Sequence, residues 1–66
     1  MKILLLGSGG REHAFAWKMS QSPLCEKLFI APGNSGTAQH GTNINIGVMD
    51  FDALGNFCVE EKIDLI

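Results

Sequence analysis

The stretch from Lys2 to Trp17, KILLLGSGGREHAFAW, narrows the possible folds more than any other part of the chain. A continuous apolar run from Lys2 to Leu6 stops at Gly7, which is how a strand buried on both faces reads. Glycines at positions 7, 9 and 10 follow. From Gly10 or Arg11 to about Gln21 no turn former interrupts the chain until Ser22-Pro23, so a helix of about three turns is expected there. A strand, a glycine loop and a helix in that order open a βαβ unit of a parallel sheet. The helix carries Ala14, Phe15, Ala16, Trp17 and Met19 most of the way around its surface, which leaves open the face that meets the sheet.

The rest of the chain continues the alternation. Lys27–Ala31 (KLFIA) reads as a second short buried strand, and Pro32–Gly41 (PGNSGTAQHG) as a loop rich in turn formers. In Asn43–Val48 (NINIGV) the alternation Asn43, Ile44, Asn45, Ile46 predicts a short strand with one solvated face. Asp50 suits the N-cap of a second helix running to about Glu61, with Leu54, Phe57, Cys58 and Glu61 at helical spacing. Gly55 sits inside that helix with no local reason, at a cost of about 1 kcal/mol relative to alanine. Asp64–Ile66 opens a fourth strand. The order β-α-β-β-α-β predicts an α/β, Rossmann-like parallel sheet, cut off at its fourth strand, with ligands expected at the carboxyl ends of the strands. Both glycine-rich loops fall at such ends and should line one crevice.

Composition excludes several classes. The five basic residues are scattered and the net charge is −2, so no patch suits a nucleic-acid backbone. The apolar run at the amino end is shorter than the core of a signal peptide, and no stretch approaches a membrane span of about 20 apolar residues. Cys25 and Cys58 belong to no metal-spaced cluster, and free thiols fit a cytoplasmic protein. His40 has no partner at metal spacing and reads as a surface residue; no metal ligands are expected. The bare apolar strand start at the end of the chain predicts an amino-terminal piece of a longer protein, whose exposed strand edge could drive self-association.

Two loops carry the chemistry. In Gly7–His13 (GSGGREH), backbone N–H groups and a helix N-terminus favour an anion. The dinucleotide fingerprint fails, because Glu12 stands at its third glycine and Ala31-Pro32-Gly33 stands where an acid should follow the second strand. The phosphate-loop ending G-K-[ST] is also missing. Gly7 reads first as a turn glycine, and Gly9 and Gly10 as the ones facing a ligand. A cation at Arg11 opposes the helix dipole, so it either reaches a phosphate or carboxylate or pairs with a neighbour such as Glu12. Glu12 suits the helix N-terminus on dipole grounds alone. His13 reads as a packed helix histidine before a donor to a ligand, and no partner of a catalytic dyad is identifiable. In Ala31–Thr37 (APGNSGT), Asn34, Ser35 and Thr37 offer groups suited to a sugar or phosphate, on a loop long enough to be functional.

Taken together, GSGGREHA, AWK and APGNSGT, followed by EEKIDLI, closely resemble the amino-terminal segment of the phosphoribosylamine–glycine ligases (glycinamide ribonucleotide synthetases). The resemblance runs from Met1 to about Ala38 and resumes near Glu60. It implies a pre-ATP-grasp domain at residues 1–66, without the ATP-grasp and carboxyl-terminal domains. It also implies an ATP-dependent enzyme of de novo purine synthesis that joins glycine to 5-phosphoribosylamine with ATP and Mg²⁺ or Mn²⁺. Carried over by position, Gly9, Gly10, Arg11 and Glu12, with Pro32, Gly33, Asn34 and Gly36, would face the phosphoribosylamine side of the cleft. No catalytic residue and no bound cofactor are expected in these 66 residues, which would be inert alone. The competing reading is a free-standing Rossmann-like module that binds a nucleotide or dinucleotide.

Overall fold

The computed structural model describes residues 1–66. Strand β1 (Lys2–Gly7) leads into helix α1 (Gly10–Ser20), then β2 (Lys27–Pro32), a 3₁₀ turn (Thr37–Gln39), β3 (Thr42–Asn43) and helix α2 (Phe51–Glu61). The sheet is parallel throughout, in the order β1-β2-β3. Leu65 forms a parallel bridge to Ile3, and Leu4 N–H donates to the Leu65 carbonyl at 2.8 Å. Because β2 and Leu65 flank opposite sides of β1, strand order reverses at β1, the position where doubly wound sheets open a crevice.

Side chains of the apolar run alternate between two cores, as they must in a pleated strand covered on both faces. Ile3 joins Leu28, Ile30 and Ala16 of α1, with Leu5, Met19 and Cys25 packed alongside. Leu4 joins Ala31 and Leu54 of α2, with Leu6, Phe29 and Phe57 around it. The two helices therefore cover opposite faces of the sheet. Cys25 and Cys58 lie in different cores as free thiols.

The face of α1 left open by its apolar pattern is the one centred on Ala16, which is fully buried, while Phe15 and Trp17 stay about half exposed at 48% and 50%. A methyl side chain lets the helix backbone approach the sheet closely. The larger rings could not occupy that position without overfilling it.

Helix α2 starts where expected: Asp50 accepts a 3.3 Å hydrogen bond from Ala53 N–H. It ends at Lys62, whose φ of 56° and ψ of 53° are left-handed. There Ile63 N–H turns back to the Cys58 carbonyl at 3.0 Å, and Ile63 packs into the same core as Cys58, a hydrophobic contact typical of such helix ends. The stripe of Leu54, Phe57 and Cys58 faces the sheet as its spacing implies.

The third strand departs from expectation. Its ladder stops at Asn43, apart from one further bond from Ile44 N–H to the Ile30 carbonyl at 2.7 Å. Ile46 N–H then donates to Ile44 within the chain at 2.8 Å, which curls the backbone away from the sheet. Ile44 and Ile46 still reach the α2-side core. Asn43, expected on a solvated face, is partly buried and bonded inside the neighbouring loop. The segment from Pro32 to Gly41, read as loop, gives its first residue to β2 and contains the 3₁₀ turn.

Candidate functional site

The loop after β1 and the loop after β2 lie side by side at the carboxyl ends of their strands, as the parallel ladder requires. Gly7 pairs with Pro32 across the sheet, and Gly33 N–H donates to the Gly7 carbonyl at 2.9 Å. Both glycines have positive φ, 135° at Gly7 and 75° at Gly33, which lets each strand turn sharply out of the sheet. The turn reading of Gly7 therefore holds.

Asn34 fastens the two loops together. Its side-chain amide donates to the carbonyls of Ser8 and Gly9 at 2.6 and 3.2 Å. Its side-chain oxygen accepts from Gly36 N–H at 2.8 Å and Thr37 N–H at 2.9 Å. Thr37 is completely buried, and its hydroxyl accepts from Asn34 N–H at 2.7 Å. That hydroxyl carries one hydrogen, shared between the Asn34 carbonyl at 2.9 Å and the Asn43 side-chain oxygen at 2.7 Å. Asn43 completes the ring with a 2.7 Å bond to the Asn34 carbonyl. The groups of Asn34 and Thr37 that looked free for a sugar or phosphate are thus engaged within the loop. Ser35 is exposed.

At the start of α1 the first helical hydrogen bond runs from His13 N–H to the Gly9 carbonyl at 3.2 Å. The N–H groups of Gly10, Arg11 and Glu12 precede it and have no helical partner, leaving partial positive charge at the mouth of the loop. Glu12 does not pair with Arg11. It turns back, accepts from Gly9 N–H at 3.1 Å and lies over Gly7 and Gly9. This carboxylate stands against the glycines of the loop, and its negative charge would oppose a pyrophosphate placed there. Arg11 is exposed, and the one ion pair in the chain is Met1 with Glu26, so its guanidinium is free to meet an anion. Of the residues expected at the site, Gly9, Gly10, Arg11 and Glu12 thus stand on one loop and Pro32, Gly33, Asn34 and Gly36 on the other, joined by hydrogen bonds.

His40 is not the surface residue its sequence context suggests. It is partly buried and sits with its Nε2 atom 3.2 Å from that of His13. His13 in turn lies against Gly36, where any β-carbon would stand 2.5 Å from the His13 Nδ1 atom. The packed, hydrogen-bonded reading of His13 holds. The partner could not be read from local spacing, because it lies 27 residues away and is brought in only by the fold.

A parallel α/β sheet covered by a helix on each face, with two interlocked loops at the carboxyl ends of neighbouring strands, defines a domain of the Rossmann-like class. Within that class the chain belongs to the phosphoribosylglycinamide synthetase N-domain family, whose model matches residues 1–66. It is 58% identical over 67 residues to the phosphoribosylamine–glycine ligase of Escherichia coli K12, covering 98% of this chain and 16% of that protein. The Agrobacterium fabrum ligase is 53% identical over 66 residues, with 100% and 16% covered. The bifunctional purine biosynthetic protein ADE1 of Schizosaccharomyces pombe is 48% identical over 68 residues, with 96% and 9% covered. The chain spans about a sixth of the length of the ligases it matches. No helix is long and apolar enough to cross a membrane.

Proposed function

We propose that residues 1–66 serve as the amino-terminal, pre-ATP-grasp domain of a cytoplasmic phosphoribosylamine–glycine ligase. The reaction would join glycine to 5-phosphoribosylamine at the expense of ATP, by way of a glycyl phosphate whose phosphate the amine displaces. ATP and Mg²⁺ or Mn²⁺ would be held by ATP-grasp domains outside these residues, which themselves group no three carboxylate, thiol or imidazole ligands. This chain would supply one wall of the cleft, on the phosphoribosylamine side. Gly10 and Arg11 would meet the anionic end of that substrate. Gly9, Glu12, Pro32, Gly33, Asn34 and Gly36 would give the wall its shape.

The observation that carries this reading is the Asn34 bracket between the two loops. It makes one continuous surface from two segments, in a chain 58% identical to a protein named for this reaction. The dinucleotide-binding alternative is disfavoured by the Glu12 carboxylate over Gly7 and Gly9.

The test is a chimera in which these 66 residues replace the matching segment of the Escherichia coli ligase. ADP formation dependent on both glycine and phosphoribosylamine is expected, and the 66-residue chain alone should form none. A folded chimera without turnover would overturn the assignment. Arg11→Ala in an active chimera should raise the KM for phosphoribosylamine and leave that for glycine unchanged.

A further inference from the structure

The fold brings together two metal-ligating side chains that the proposed ligase role leaves unused. His13 on α1 and His40 at the end of the 3₁₀ turn hold their Nε2 atoms 3.2 Å apart. Their ring centroids are 5.1 Å apart with the planes tilted by 32°. Two neutral imidazoles at this distance share one hydrogen, one nitrogen donating and the other accepting. The same spacing suits two ligands on one edge of a tetrahedral metal. Zn–N bonds of about 2.0–2.1 Å at the tetrahedral angle set their nitrogens about 3.3–3.4 Å apart. Exchanging the shared hydrogen for a cation would therefore require little movement of either ring.

We infer that His13 and His40 form a two-imidazole site for a borderline divalent transition-metal ion such as Zn²⁺, with water completing the coordination. Three features of the structure support it. The rings are partly buried rather than waving in solvent, so less side-chain freedom is lost when the ion binds. The His13 ring rests on Gly36, which leaves space there for a ring and for no side chain. Neither histidine is engaged by a carboxylate, since the single ion pair in the chain lies at Met1 and Glu26. Imidazole nitrogen selects Zn²⁺ over Mg²⁺, a hard cation that takes oxygen ligands. A bound ion would clip α1 to the turn that follows β2, beside the Asn34 bracket. With two protein ligands and no third nearby, binding should be weaker than at sites with three or four protein ligands.

The experiment is a ZnCl₂ titration of the 66-residue chain, followed by calorimetry and by ¹⁵N NMR of the imidazole rings, with MgCl₂ as the comparison. One Zn²⁺ per chain is expected, with the Nε2 resonances of both histidines shifting together and no response to Mg²⁺. His13→Gln and His40→Gln should each weaken binding by about tenfold or more. Absence of saturable binding, or saturation with both Nε2 resonances unmoved, would overturn the site. The ring resonances of the unaltered protein give that answer even if a variant fails to fold. Because no ligase substrate is present, failure here would leave the chimera result untouched.

Discussion

The side-chain amide of Asn34 reaches back 26 residues to the carbonyl of Ser8, at 2.6 Å. Asn34→Asp keeps the oxygen that accepts from Gly36 and Thr37 but loses the donor. It also sets an anionic oxygen against two carbonyls. The expected cost is about 1–3 kcal/mol, read by urea unfolding, together with faster amide exchange in both loops. Unchanged stability would show that the bracket does not hold the loops together.

Gly36 tests the support beneath His13. Its backbone is right-handed, with φ −71° and ψ −43°, so alanine meets no backbone strain there. The added carbon would instead stand 2.5 Å from His13 Nδ1 and 2.7 Å from Cε1. Gly36→Ala should push the ring off His40, visible as a shift in the ring resonances of both histidines. A variant whose imidazole spectrum matches the parent would contradict the geometry.

Gly55 should behave in the opposite sense. It lies within α2, and a β-carbon there meets nothing within 4 Å. Gly55→Ala is expected to raise stability by about 1 kcal/mol, measured as a higher urea midpoint with an unchanged slope. A lower midpoint would mean that this helix position has a contact the fold does not reveal.

Two neighbouring positions on α1 separate size from burial. Ala16→Leu forces a larger side chain against Ile3, Leu28 and Ile30 and should cost about 1–3 kcal/mol. Trp17→Lys changes a half-exposed ring and should cost less than Ala16→Leu in the same denaturation series. The reverse ranking would put the wrong face of the helix on the sheet.

Strands β1 and β2 and both helices were legible to within about a residue, because buried parallel strands and capped helices leave local patterns. The dinucleotide fingerprint fails in the sequence on Glu12 and on the missing acid after the second strand, and the structure adds that the Glu12 carboxylate lies over Gly7 and Gly9. What stayed illegible depended on tertiary placement. Hydrophobicity along α1 gives more weight to Phe15 and Trp17 than to Ala16, yet close helix–sheet approach selects the smallest of the three. The Asn43–Ile46 alternation resembles a strand, but the chain curls at Ile46 and carries its isoleucines into the core by another path. The bonds between Asn34, Gly36 and Thr37 are local, whereas the partners of the Asn34 amide and the Asn43 partner of Thr37 were hidden, because Ser8, Gly9 and Asn43 are not adjacent to them in sequence. His40 found its partner in the same way.

The central position of β1 also bears on the order in which the molecule assembles. One side of that strand is completed by β2, which follows after a single short helix. The other side waits for Asp64 and Leu65, and the Lys2–Asp64 contact closes a span of 62 residues. Contacts of such long range are slow to form, although the entropy of closing a longer loop rises only logarithmically. The β1-α1-β2 unit is therefore expected to form first, with the two loops already bracketed by Asn34. The pairing of β1 with Leu65 should be the last part of the molecule to take shape.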